Sequence, residues 1–249
     1  MNTKILNMNS TKFYLRLKAI LLVSALTLFF SCSSDENTDG RINLSVAANN
    51  SAVSNKTTQV NSKNSTVVFT EFKISIRDVV FKNDDDPNSS LDTDEVMFRG
   101  PYHIDLMANG TALEQTIGDV AVPDGTYKEL RFKFHKDKTL PTTDKLYDKS
   151  IYIEGTVNDK KFIFWHDTSE NLDVGRSTGV TVTEGIVNLT VEFKIQQFLN
   201  SLNQIDLSQA VDGNQNGVIE INPNDQDGNQ DIAKQLKENI KETADLINQ

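Results

Sequence analysis

Oxygen-bearing side chains recur at every second position in "AVDGNQNGVIEINPNDQDGNQDIA", residues 210 to 233. A twelve-residue calcium loop places oxygen ligands at positions 1, 3 and 5, a glycine at 6, a backbone carbonyl at 7 and a bidentate acid at 12. Counted from Asp212, these positions give Asp212, Asn214, Asn216, Gly217 and the Val218 carbonyl, with the hydrophobe Ile219 at 8 and Glu220 at 9. Position 12 is Pro223, which has no side-chain ligand. Glu220, Asp225 and Asp227 are the nearest acids that can fill the gap, and calcium accepts irregular oxygen cages of six to eight ligands. A second spaced set, Asp225, Asp227, Asn229 and Asp231, follows at once. The loop is therefore expected to bind calcium weakly, on the order of 10⁻⁴ to 10⁻³ M. The plainer alternative is a solvated acidic turn that caps a helix.

Other candidate chemistry is sparse. Trp165-His166-Asp167 ends an apolar run, and its plain reading is a core tryptophan beside an edge polar pair. His103 and His135 fall on separate segments, and no close histidine pair hints at zinc. The acidic run from 83 to 95 reads as a solvated hairpin tip, with a weak second cation site as the sharper alternative. No nucleophile elbow, zinc-helix motif or phosphate loop is present. Among 35 acids nothing singles out a catalytic pair, so the chain is read as non-enzymatic.

The N-terminus says where the chemistry is displayed. Residues 1 to 31 carry Lys4, Lys12, Arg16 and Lys18 and no acid, with the apolar run "AILLVSALTLFF" at 19 to 30. A basic start, a short apolar core and a small residue before the cut define a secretory signal. The core falls short of the roughly 20 residues that span a bilayer. Cys32, the only cysteine, stands at the cut. The arrangement resembles the loose lipoboxes of Bacteroidota, with Phe29 and Phe30 at the more usual leucine and small positions. Asp35 and Glu36 resemble an acidic signal for export to the cell surface, or form a plain acidic tether. The expected location is the outer membrane, through a lipid on Cys32, with surface exposure as a further expectation. Losing residues 1 to 31 lowers the formal net charge from −10 by four, to −14. So acidic a chain repels phosphate backbones, which argues against a nucleic-acid partner.

The elements that must position the loop are mostly strands. Residues 41 to 48, 70 to 81, 127 to 136, 150 to 157 and 186 to 195 alternate apolar and polar side chains, the signature of half-buried antiparallel strands, and the apolar run at 161 to 166 follows as a further strand. Asn158-Asp159 has hairpin spacing. Residues 49 to 66 are almost wholly Ser, Asn, Thr and Lys and predict a polar loop. Ile232, Leu236, Ile240, Ala244 and Ile247 predict a helix over 231 to 248 with Asp231 as its N-cap, and "QQFLNSL" predicts a shorter helical turn. The expected organisation is a signal peptide at 1–31, a tether at 32–40, an antiparallel β-sandwich at 41–209, and an acidic loop with a C-terminal α-helix at 210–249.

Two central segments, "PYHIDLMANGTA" and "DVAVPDGTYKELRFKF", carry Asp105-Leu106, Asn109-Gly110, Pro123, Gly125, Tyr127 and Arg131. They resemble the domain-of-unknown-function 4382 family of bacterial lipoproteins, over about residues 66 to 136 and more weakly to 195. Met107 stands where that family has a second leucine. The resemblance implies an immunoglobulin- or transthyretin-like sandwich in the cell envelope and brings no catalytic residues. The reading that follows is a lipoprotein that binds a glycan or protein ligand. A structural adhesion or fimbria-like subunit, with "RINLSVAA" as an exchangeable strand, is one alternative, and an envelope hydrolase is another.

Overall fold

Alternating sequence becomes strand almost wherever it occurs. The computed structural model describes residues 40–49, 58–62, 65–83, 95–200, 204–224 and 226–248. The expected signal segment, Cys32, Asp35, Glu36, most of the acidic run at 83 to 95, and Asp225 lie outside the described residues. The strands are β1 (Gly40–Asn49), β2 (Thr58–Ser62), β3 (Ser65–Asn83), β4 (Glu95–Ala108), β5 (Thr111–Ala112), β6 (Glu114–Val122) and β7 (Gly125–Phe134). They continue with β8 (Ile151–Val157), β9 (Lys160–His166), β10 (Asn171–Val182), β11 (Ile186–Lys194), β12 (Ile219–Ile221) and β13 (Ala244–Asn248). Among the described residues one α-helix, α1, spans Gln230–Glu242.

Two sheets enclose one core. The smaller has four strands in the order β13-β11-β1-β6. The larger has nine, built on β10-β7-β3-β8-β9-β12, with β2 and β4 pairing β3 and β5 pairing β4. Ile42, Leu44, Val46, Leu189, Val191 and Phe193 of the smaller sheet share a buried cluster with Phe72, Ile74, Phe132, Ile153, Phe162 and Phe164 of the larger. Period-two patterning puts these residues inward and their neighbours outward.

The sheets are mixed, which corrects the antiparallel expectation. β1 runs parallel to β11 over nine paired residues, and β12 runs parallel to β9. One-faced alternation is the same whichever way a neighbour runs, so the pattern could not reveal direction. The polar stretch 49 to 66 is also corrected in part. Thr58–Ser62 forms β2, paired antiparallel with Ser65–Phe69 of β3. Thr and Val suit a strand even in polar company.

The side of the sandwich between β4 and β6 is closed by a side chain. The Gln115 amide on β6 donates to the His103 carbonyl at 3.2 Å and accepts from the Asp105 N–H at 3.3 Å. It stands in for a strand at the β4 edge, where unpaired backbone groups invite association with another chain.

The C-terminal helix is shorter than its periodicity predicts. It ends at Glu242, and Ala244–Asn248 turns into β13 against β11. The Thr243 hydroxyl donates to the Ile240 carbonyl at 2.8 Å, and the Lys194 N–H donates to the Thr243 carbonyl at 2.9 Å, opening the new ladder. The unpaired edge of β11 outweighs local helix preference here, because a backbone ladder satisfies groups that would otherwise stay unbonded. The N-cap is Asn229, not Asp231.

Candidate functional site

The loop from Asp212 is built from its own side chains. Asp212 accepts the Asn216 N–H through Oδ1 at 3.0 Å and the Gly217 N–H through Oδ2 at 2.9 Å. Asn214 Oδ1 accepts the same Asn216 N–H at 2.9 Å, so the Asp212 and Asn214 oxygens stand side by side. Asn216 Oδ1 accepts the Val218 N–H at 2.9 Å. Gly217 has φ +88°, a left-handed value that glycine adopts without strain. The Asn214 amide donates to Glu220 Oε2 at 3.2 Å, which brings Glu220 back over the loop.

The loop is pinned to the sandwich from below. Ile219 and Ile221 of β12 are buried against the core, as their alternation with Glu220 predicts. Asp227, only 5% exposed, ties the base: Oδ1 accepts the Asn214 N–H at 3.0 Å and Oδ2 the Glu220 N–H at 2.8 Å. Asn229 leaves the helix N-terminus uncapped by its side chain. Its amide instead donates to the Val211 and Glu220 carbonyls and accepts the Val211 N–H. At Gly213 the backbones pass so closely that a Cβ would stand 2.6 Å from the Asp227 carbonyl oxygen.

The donor chemistry fits a hard cation in part. Each carboxyl or amide oxygen that accepts one N–H keeps a second lone pair, and Asp212, Asn214, Asn216 and Glu220 are gathered on one short turn. Asp212 and Asp227 both have each oxygen engaged by a backbone N–H; what sets Asp227 apart is its burial at the base of the loop, where it serves as a tie. Among the described residues, no group of three or more His, Cys, Asp or Glu side chains is placed to hold a metal ion. A cation on this loop would therefore depend on amide and carbonyl oxygens.

A groove borders the same loop. Its volume is about 470 Å³, and Asp212 and Val211 line one side, Leu207 and Ser208 another, and Asn158 and Lys160 of the β8–β9 turn a third. Val211 is 53% exposed there, one of the few large apolar side chains facing solvent.

The remaining sequence candidates fall elsewhere. Trp165 is half-buried on the outer face of the larger sheet, not in the core, with the Lys149 ammonium 5.5 Å from its ring centre. Phe162 and Phe164 take the inward positions instead. His166 points inward at the end of β9, its Nδ1 3.8 Å from Asp167 Oδ1, and burial pushes its imidazole below the usual range. His103 pairs with Asp137, Nε2 to Oδ2 at 3.1 Å. Hydrogen bonds from the Thr139 hydroxyl and N–H hold the Asp137 carboxyl below its ordinary range.

The sequence gives no warning of a cation cage on that outer face. Lys145 Nζ lies 2.7 Å from Glu71 Oε2, 2.9 Å from Glu154 Oε2 and 5.3 Å from the centre of the Tyr152 ring. Burial pushes the Glu154 carboxyl up, but hydrogen bonds from Lys161, Lys145 and Tyr152 outweigh it and bring it down to about 2. Lys145 lies only nine residues before Glu154 of "IYIEG", but Glu71 comes from β3, 74 residues away.

Comparison with protein-family models, with curated proteins and with solved structures returns no match. Among the described residues no helix is long and apolar enough to cross a membrane.

Proposed function

We propose that this chain is a non-enzymatic outer-membrane lipoprotein, held by lipid on Cys32. Its sandwich, of the immunoglobulin- or transthyretin-like kind that the domain-of-unknown-function 4382 likeness implies, presents a groove to a glycan or protein ligand beside a calcium-stiffened loop. The observation that carries this reading is the shared position of Asp212, which belongs both to the oxygen-lined turn and to the wall of the groove. The groove volume of about 470 Å³ falls within the roughly 300–1,000 Å³ common for ligand sites. When bound, calcium would supply fixed positive charge; Asp212, Asn214, Asn216, Glu220 and the Val218 carbonyl would hold it.

Linkage supplies the test. An ion that binds only the folded chain stabilises it by about 2.7 kcal/mol at a hundredfold excess over Kd. Against the expected Kd that excess needs about 10 to 100 mM calcium; thermal melts at those concentrations and in chelator should differ by several degrees, and Asp212→Ala should remove the difference. Identical melts, with no heat on calorimetric titration, would leave the loop as a polar connector. The anchor is checked separately: Cys32→Ala should leave the membrane fraction or remain uncleaved. Persistence of that variant in the outer-membrane fraction at high salt would remove the lipoprotein reading. Stable anchoring needs more than one acyl chain, as a lipoprotein cysteine carries.

A further inference from the structure

Asparagine followed directly by glycine occurs twice in the chain, at Asn109-Gly110 and at Asn216-Gly217. Such a pair can close on itself. The glycine nitrogen attacks the side-chain carbonyl carbon of the asparagine, and glycine, having no Cβ, puts nothing in the way. The reaction is slow because an amide nitrogen is a poor nucleophile and an amide carbonyl a poor electrophile. A base on the N–H and a hydrogen-bond donor on the carbonyl oxygen would each speed it.

The turn from Asp212 supplies both at Asn216. The Gly217 N–H donates to Asp212 Oδ2 at 2.9 Å, so a carboxylate already holds the proton that must leave. Asn216 Oδ1 accepts the Val218 N–H at 2.9 Å, so a donor stands where negative charge develops as the carbonyl is attacked. The same bond turns the side chain forward along the backbone, with its carbonyl carbon toward the Gly217 nitrogen. Asn216 and Gly217 are exposed, which admits water. Asn109-Gly110 has the same two residues without the two aids. The Gly110 N–H donates to the Thr70 carbonyl at 2.9 Å, an acceptor that takes no proton, and Gly110 is buried. Among the described residues no hydrogen bond reaches the Asn109 side chain.

We propose that Asn216-Gly217 is a self-modification site, at which the folded loop promotes its own deamidation. The Gly217 nitrogen bonds to Asn216 Cγ as its proton passes to Asp212. The Cγ–Nδ2 bond then breaks, and ammonia leaves with the proton that Asp212 took. Water opens the resulting cyclic imide at either carbonyl, giving an aspartyl or an isoaspartyl residue. In sum, one amide and one water become one carboxylic acid and one ammonia, and nothing is oxidised or reduced. Each event adds one negative charge to the exposed tip of the turn, next to Asp212 in the groove wall. The isoaspartyl product also lengthens the backbone there by one carbon. The site needs neither calcium nor a ligand in the groove, so it goes beyond the proposed function and does not rest on it.

The test follows the full-length wild-type protein in chelator at neutral pH, with peptide mass spectrometry reading the conversion at each asparagine over time. A positioned base or oxyanion donor is worth about 10²-fold or more in an enzyme. Asn216 should therefore convert at least about tenfold faster than Asn109 in the folded protein. In guanidinium chloride, where the turn is lost, the two rates should converge, and Asn216 should react more slowly than it does when folded. Asp212→Asn keeps an oxygen acceptor and removes the base. It should slow Asn216 toward the unfolded rate and leave Asn109 as it was. An unchanged Asn216 rate in that variant overturns the role of Asp212. If Asp212→Asn does not fold, the wild-type comparison decides alone. Equal rates at the two asparagines in the folded chain, or an Asn216 no faster folded than unfolded, overturn the proposal.

Discussion

Phe198→Ala is expected to destabilise the protein by about 3–5 kcal/mol, the range for removing a buried aromatic ring. Phe198 follows the short 3-10 turn Ile195–Gln197 and is 2% exposed. Its ring centre lies 5.8 Å from that of Phe69, 5.9 Å from Phe72 and 6.3 Å from Phe164. These partners come from β3 and β9, so one ring fastens the exit of β11 to the centre of the larger sheet. Edge and tilted aromatic pairs add about 0.5–1.5 kcal/mol each beyond the area they bury. No nearby side chain can refill the space without leaving its own place in a close-packed core. Urea unfolding should show the loss as a lower midpoint at unchanged slope. A loss below about 1 kcal/mol, the usual scale for ordinary substitutions, would mean that the turn is not seated on the core.

The legible parts of this fold are those fixed by local rules. Phe72, Ile74 and Ile76, or Leu189, Val191 and Phe193, announce buried strand faces because side chains alternate by geometry alone. The spacing of Asp212, Asn214 and Asn216 announces the turn, and Ile219 and Ile221 its attachment, for the same reason. What stayed hidden depends on partners distant in sequence. Nothing near Ala244–Asn248 says that β11 has a vacant edge, so the run of Ile240, Ala244 and Ile247 looks helical until that edge is known. Nothing near Gly40–Asn49 says that its parallel partner is β11. β12 has only three residues and pairs with β9 across more than fifty residues of chain. The Lys145 cage is illegible in part for a like reason: Glu154 is nine residues from Lys145, but Glu71 of β3 is 74 away.

Asp227→Ala separates the loop's architecture from its proposed ion. Asp227 is buried, and its two oxygens accept N–H groups from Asn214 and Glu220, on opposite sides of the turn. Truncation leaves both N–H groups facing a methyl group. An unsatisfied buried donor costs about 1–3 kcal/mol, and a lost bond to a charged acceptor falls in the same range. The glycine at 213 lets the Asp227 backbone approach closely, since a Cβ there would stand 2.6 Å from its carbonyl oxygen. The expected loss is about 2–4 kcal/mol, since two such bonds go together. It should be the same in calcium and in chelator, because both bonds are made within the chain. Asp227→Asn should fall between the variant and the wild type, since it keeps one acceptor and turns the other into a donor aimed at an N–H. Asp212→Ala makes the contrast: its half-exposed carboxylate braces only the exposed tip, so most of its effect should appear with calcium present. Should Asp227→Ala instead lose stability only in calcium, Asp227 would be an ion ligand and the tie across the loop would have to be abandoned. A variant as stable as wild type in chelator would equally remove the tie.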